Sequence, residues 1–432
     1  MLRRALPVAL LTLSLAAVAF PADPDRLSLT DALKMARANN GQIRASLVEL
    51  RSSRSQATSA FGAFLPSVTP GFSYETGRTK FLTGQAGGQV TRNQDSTSFV
   101  DVRVPLLDNG TRYLRLASAR ENLEAQRADT VNTLRQTLFL VHQRFYNALR
   151  AEELLKVQES QLARTRSILE ETTTRAEIGD EAKIRILQAK ADALNAEVSV
   201  LEASNSVATN LANLRAIIGI EPTAPLPPLG PGESLREPMG LAAMPQVIAD
   251  GLARRPDLIS RRRQVDAARS QARLARMDGL VSFSLDATYR KQFGNNPLDR
   301  SLLQLNASIP LFDGFQTREN TRIREFVVQS QSALLLQAER DARAEIESAY
   351  VEYLQNTKRQ RAAQAAFEAA DENFRAAQDG RRLGAGTLLD ILTAQLSLVT
   401  AEVNRTQATY DLRISEIRLK VVTGTPIPGE ES

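Results

Sequence analysis

The chain has 432 residues, 43% of them hydrophobic and 24% charged, with a formal net charge of +5 and a negative mean hydropathy. This composition supports a large core and argues against a bundle of membrane helices. With no Cys, no Trp and one His, it excludes disulfide frameworks, thiolate chemistry and His-pair or Cys metal sites, and leaves little room for a catalytic triad. His142 lies between apolar Val141 and Phe145 and reads as a packed helical residue. The densest basic run, Arg254-Arg255 to Arg261-Arg262-Arg263, is flanked by no aromatic residues, which fits a charged helix surface better than a nucleic-acid interface. No catalytic, cofactor or metal residues are expected.

Residues 1–19 read as a secretory signal: Arg3-Arg4, then the apolar run from Ala5 to Ala16, then Ala17-Val18-Ala19 as a small-residue cleavage site. No Cys follows, so no N-terminal lipid anchor is expected. Removing the leader's two arginines brings the net charge to about +3.

A first repeat is expected over 27–221. It opens with a helix over 27–63, with Thr30 as N-cap and Leu33, Ala36, Ile43, Leu47 and Leu50 forming its apolar stripe. Strands follow at 67–76 and 96–105, separated by a loop rich in Gly, Thr, Gln and Asn. The second strand, Phe99 to Val104, alternates apolar and polar residues and should end at Pro105, which has no N–H to donate. A helix over 111–175 carries a coiled-coil seam of Leu134, Leu138, Val141, Phe145 and Leu149. Gly179-Asp180 interrupts it, and an Ala-rich helix over 181–217 ends at Gly219.

The stretch 222–245 is a linker dense in proline, from Pro222 to Pro245. A second repeat, 246–425, follows the same plan, and 426–432 forms a tail. It should contain a helix over 246–277, strands at 280–290 and 302–310, a long helix to 382, a break at Gly384-Ala385-Gly386 and a last helix to 422. In its first strand Val281, Phe283, Leu285, Ala287 and Tyr289 alternate with Ser282, Ser284, Asp286, Thr288 and Arg290. Pro310, Gly384, Leu392, Glu402 and Gly424 follow Pro105, Gly179, Leu187, Glu197 and Gly219 at a constant spacing of 205. Before the strands the spacing is 215, as between Gly41 and Pro256, so the first half should carry the longer strand-to-strand loop.

Strands of about ten residues match a tilted bilayer crossing. Their apolar faces suit lipid, and the faces carrying Asp101, Arg103, Asp286 and Arg290 suit a water-filled lumen. Four strands cannot close a barrel, so a membrane location requires several chains. A soluble sheet capping a helical bundle is the other reading of the same alternation. The helical hairpins, roughly 100 Å long by their residue count, also need neighbours to bury their seams.

On the motifs Val104-Pro105-Leu106-Leu107-Asp108, Ile309-Pro310-Leu311-Phe312-Asp313-Gly314 and Arg382-Leu383-Gly384-Ala385-Gly386-Thr387-Leu388-Leu389-Asp390-Ile391-Leu392, and on the duplication, the chain resembles the TolC-type outer-membrane efflux proteins over nearly its whole length. The resemblance implies a mainly α fold with a small β part. It implies a homotrimer with a 12-stranded β-barrel among outer-membrane lipid, continuous with a periplasmic α-helical barrel. Such a duct exports drugs, metal ions or proteins, fed by an inner-membrane efflux pump or ABC transporter through a periplasmic adaptor.

By the same resemblance, Ile178, Gly179, Asp180, Arg382, Leu383, Gly384, Ala385, Gly386 and Thr387 form tips that meet the adaptor. Asp390, Thr393, Arg185 and Gln188 line the periplasmic aperture. Pro105, Asp108, Gly110, Pro310, Asp313 and Gly314 mark the junction of barrel and helices. Asp390 also has a local reading, as the N3 acid of a capping box with Thr387. A second acid that some members place one turn later is replaced by Thr393. A Tyr–Arg–Asp lock of other members is replaced by Arg381 and Gly386 facing Ile184 and Arg185. The alternative function is a periplasmic coiled-coil adaptor or scaffold without a pore. Two hairpins with only four strands disfavour the adaptor.

Overall fold

The computed structural model describes residues 26–80, 90–179, 182–221, 226–230, 240–277, 280–294, 297–309 and 311–430. The expected leader, Asp180, Pro310 and much of the proline-dense linker lie outside these residues. Eight helices and four strands are described: α1 (Leu29–Asn39), α2 (Gly41–Gly62), β1 (Ser67–Lys80), β2 (Val90–Leu107), α3 (Thr111–Glu177), α4 (Lys183–Ile218), α5 (Met244–Arg254), α6 (Pro256–Met277), β3 (Ser282–Gly294), β4 (Leu298–Ser308), α7 (Gln316–Arg382) and α8 (Leu388–Val422).

The duplication holds to the residue. Helices α3 and α7 both have 67 residues. Gln316 and Arg382, the ends of α7, stand at the same offset from Thr111 and Glu177 that relates Pro310 to Pro105. Helices α5 and α6 and strand β3 start at the larger offset from α1, α2 and β1, the one that relates Pro256 to Gly41. Left-handed backbone recurs at the smaller offset: Asn109 and Gly314, Gly110 and Phe315, Gly179 and Gly384, Gly219 and Gly424. The difference between the two offsets falls in the strands rather than only in a loop, because β1 and β2 run to 14 and 18 residues against 13 and 11 for β3 and β4. The β1–β2 pairing from Thr76–Gln94 to Lys80–Val90 projects past the last β2–β3 pair, Asp95–Gly294.

Two expected single helices are each broken in the middle. Ser28, not Thr30, caps α1, with its hydroxyl accepting from Asp31 N at 3.1 Å. Asn40 then leaves the helical region, with ψ of 127°. Its Oδ1 accepts from Gln42 N and Ile43 N at 2.9 and 3.3 Å, and its Nδ2 donates to Ile217 O at 2.9 Å. One side chain thereby caps the start of α2 and the end of α4. The second half breaks at the equivalent Arg255, which the following Pro256 pushes toward extended backbone. Arg255 donates to Asp257 at 2.7 Å, Glu345 at 2.6 Å and Val422 O at 3.5 Å. Each short helix pair thus abuts the end of a return helix, and α4 and α8 stop where α2 and α6 begin.

The result is a layer four helices wide at every height. Near the sheet the order is α2, α3, α6, α7; toward the distal turns it is α4, α3, α8, α7. The seam of α3 supplies the main core, where Leu138, Val141, Phe145 and Leu149 pack with Leu33, Ala36, Leu214 and Ile218. His142 is buried beside them with Nδ1 2.8 Å from Leu138 O. Ala189, Ala193 and Ala196 are the buried residues of α4's lower half, and their small size permits the close approach of α3.

The strands form one antiparallel sheet in the order β1-β2-β3-β4. Pro105 does not end β2: it pairs with Ser284, a bulge follows, and Leu107 pairs with Phe283. The bulge absorbs the missing donor and lets the strand continue two residues further.

Replacing Asn40 with Ala removes a cap and leaves Ile217 O without its side-chain donor. The expected loss is about 1–2 kcal/mol, read as a lower midpoint for thermal loss of helical circular dichroism.

Candidate functional site

The sheet has two chemically different faces. Cross-strand partners share a face, and on one of them stand Val68, Phe72, Val100, Val102, Leu285, Ala287, Leu303 and Leu305. Of these, Val68, Phe72, Val100, Leu303 and Leu305 are exposed. The other face carries a polar ladder. Arg103 Nε donates to Asp286 Oδ1 at 2.5 Å, and Ser284 Oγ and Asn306 Nδ2 donate to Asp286 Oδ2 at 3.1 and 2.7 Å. Phe99, the aromatic exception on that face, pairs with Gly71. Its ring lies where a Cβ at Gly71 would sit, with Arg290 stacked at 5.8 Å. A side chain at position 71 would push that ring aside, so glycine lets Phe99 lie across β1.

At the junction, two aspartates at equivalent points of the repeat cap the two longest helices. Asp108 Oδ2 accepts from Arg112 N at 2.9 Å, Thr111 Oγ1 at 3.0 Å and Arg112 Nε at 2.7 Å. Burial pushes the Asp108 carboxyl up, but the hydrogen bonds from Arg112 and Thr111 outweigh it and hold the group below the usual carboxylate range. Asp313 Oδ2 accepts from Thr317 N at 2.8 Å, and the hydrogen bonding with Thr317 lowers its carboxyl likewise. Gly110 and Gly314 both have positive φ but are not equivalents. Gly110 matches Phe315 and Gly314 matches Asn109, so two non-glycine residues share the strained positions. Asn109 gains an anchor there, its Nδ2 donating to Val281 O at 2.6 Å.

The distal turns pivot on Gly179 and Gly384, with φ of 82° and 79°. After Gly384, the amides of Ala385 and Gly386 both donate to Gly380 O, at 2.8 and 3.0 Å. A Cβ on Gly386 would come within 2.9 Å of Arg381 N. Thr387 and Asp390 form the capping box: Asp390 N donates to Thr387 Oγ1 at 3.2 Å, and Thr387 N donates to Asp390 Oδ2 at 2.8 Å. Hydrogen bonds from Thr387 hold the Asp390 carboxyl below its ordinary range. Arg382 Nη2 turns back to Asp379 at 3.0 Å.

Among the expected aperture residues, Gln188 and Thr393 face each other across a groove between α4 and α8, also lined by Asp192, Leu389 and Leu396. Its floor is tied by Gln395 Nε2 donating to Gln161 Oε1 at 2.9 Å. Arg185 and Asp390 are not brought together: Arg185 Nη1 donates to Gln188 at 3.1 Å, and Asp390 is engaged with Thr387. One tie between the hairpins has no signature in the sequence. Buried Arg381, at the end of α7, donates through Nε to Glu171 on α3 at 3.2 Å.

The model of the outer membrane efflux protein family matches residues 32–220 and 247–425. The chain belongs to that family. Among curated proteins, this efflux protein is similar to CyaE of Bordetella pertussis, 26% identical over 82% of this chain and 74% of that protein. It is also similar to TolC of Vibrio cholerae, 24% identical over 92% of this chain and 91% of that one. Among solved structures, the outer-membrane channel OprN superposes with a TM-score of 0.82 at 18% identity, covering 92% of this chain and 90% of that one. The efflux protein is therefore an outer-membrane exit duct with a large periplasmic part, and not an enzyme. No described helix is long and apolar enough to cross a membrane, which leaves the two-faced sheet as the described element suited to lipid.

The cap at the tip has a pH signature. Because the folded carboxyl of Asp390 titrates below its unfolded value of about 3.9, its contribution is fully present above that value and is lost as pH falls through the lower folded one. Protection factors of the amides at Leu389 to Ile391, measured against their intrinsic exchange rates, should therefore fall on acidification below about pH 4. Asp390→Asn should exchange faster at neutral pH and lose most of the acid dependence.

Proposed function

We propose that three copies of this chain close one 12-stranded barrel and one continuous helical tunnel, through which an inner-membrane transporter discharges cargo by way of a periplasmic adaptor. The carrying observation is the open sheet: β1 and β4 are both edges, yet one face is apolar and exposed. In lipid an unpaired edge costs several kcal/mol per backbone group. Pairing β4 of one chain with β1 of the next removes every edge when the ring closes. The polar ladder around Asp286 then faces water inside, and the apolar face meets lipid.

The adaptor's place is supported by the two distal turns. Ile178 and Leu383, at equivalent points of the two repeats, are 76% and 78% exposed. Two matched, highly exposed apolar residues at the turns suit an apolar helical partner better than bulk water. At the aperture, Asp390 serves both as helix cap and as a source of negative potential: three copies around an axis would favour cations. Cargo is selected by the transporter, since the duct meets it through water-filled space.

The mass of detergent-solubilised particles tests the assembly, with three chains expected and a single chain overturning it. In planar bilayers, Asp390→Ala is expected to reduce cation preference about two- to fivefold without abolishing conductance. Ile178→Asp and Leu383→Asp are expected to abolish export while leaving trimer mass and conductance unchanged.

A further inference from the structure

The polar face of the sheet holds one row that breaks a rule its neighbours keep. Gly71 pairs with Phe99, Phe99 with Arg290, and Arg290 with Arg300, so the row crosses all four strands. It shares its face with the Asp286 ladder, because Phe99 and Arg290 stand an even number of residues from Arg103 and Asp286. Two guanidinium groups directly opposite one another repel and weaken the strand pair. One position further on, the same two strands do the reverse. Lys291 stands opposite Asp299 on the outward face, where Tyr289 Oη also donates to Asp299 at 3.2 Å.

Nearby acids do not cancel the row. Arg290 and Arg300 are exposed, and neither forms an ion pair among the described residues. Glu75 and Asp95 face each other two steps nearer the strand ends. That is about 13 Å along the strand, beyond the screening length of physiological salt. One step toward the helices, Asp101 stands beside Arg103 on β2. Asp286, a step beyond, is already held by Arg103, Ser284 and Asn306. Positive charge is left over in the row.

Phe99 gives the row its shape. Its ring lies across Gly71, and Arg290 stacks on it with the guanidinium carbon 5.8 Å from the ring centre. Stacking occupies the flat face of the guanidinium and leaves its in-plane N–H groups free to meet an oxyanion with two parallel bonds. Arg300 offers a second such fork directly opposite. We propose that this row is an anion-binding station in the barrel lumen, taking cargo that carries several phosphate or carboxylate groups. Three copies would place two of these arginines each around one passage. A multivalent oxyanion replaces the repulsion between opposed arginines with charge-assisted bonds. The station is opposite in sign to Asp390 and lies at the other end of the chain. Its exposure to water and salt weakens each bond, so that an arriving anion is held and then released.

The proposal rests on the three-copy duct, and one experiment separates the two. Channels are formed in planar bilayers in potassium chloride, and inorganic tripolyphosphate is added to the chamber opposite the protein. The polar helical body does not cross the bilayer, so that chamber meets the strand ends. Tripolyphosphate should block the current reversibly, with an affinity that falls as salt rises. Arg290→Gln with Arg300→Gln should weaken the block at least tenfold in particles of unchanged mass. Arg300→Gln alone keeps the stack on Phe99 and should weaken it about threefold, so the test survives a double variant that fails to assemble. Arg78→Gln, on the outward face nearer the strand ends, should leave the block unchanged. No block in the parent channel, a block as strong in the Arg290 and Arg300 variants, or an equal loss in Arg78→Gln would overturn the station and leave the duct standing. Particles of single-chain mass that form no channels would overturn both.

Discussion

Backbone hydrogen bonding in lipid is the constraint on which this structure depends. A strand placed where water is absent must find a partner for each N–H and C=O. Four strands in the order β1-β2-β3-β4 satisfy only the inner ladders. Under the proposed three-copy closure the outer ladders are satisfied as well, and the exposed apolar face is the part that an assembled barrel would turn toward lipid.

The helical body shows the same incompleteness by a different route. Coiled-coil seams bury one stripe per helix, and each chain presents a layer four helices wide with two outer helices at each height. Uniform height along that layer depends on the Asn40 and Arg255 joints, which connect the end of a return helix to the break between two short ones. Two unrelated side chains perform one task there. Asn40 uses an amide that both accepts and donates, whereas Arg255 recruits Asp257 and Glu345 to fix a guanidinium.

Much of this architecture is legible in the amino-acid order, because proline density, glycine breaks and period-two alternation are local signals. Repetition at one fixed spacing extends them to long range. What escapes depends on contacts between distant segments. The helix break at Asn40 follows from its bond to Ile217, 177 residues away. The continuation of β2 beyond Pro105 depends on β3 accommodating a bulge. The spacing of the repeat pairs Phe315 with Gly110, but the left-handed backbone that both adopt is seen only in the structure. At the tip, the spacing of Thr387 and Asp390 announces the capping box that the structure forms, whereas an aperture role for Asp390 rests on resemblance alone. Arg381 gives no advance sign of Glu171, since nothing in the order places α3 beside the end of α7.

The equality of α3 and α7, at 67 residues each, also limits how such a sequence can change over generations. Deleting one residue from a long helix lowers everything beyond it by about 1.5 Å and rotates it by roughly 100°, turning a buried stripe out of its seam. Tolerated length changes in the wall should come in whole seam periods, and in both copies together. The strand ends escape this coupling, since the β1–β2 hairpin already projects beyond its neighbour without disturbing a single helix register. Lineages descended from one ancestor should therefore differ in length at the outer rim long before they differ in the depth of the tunnel.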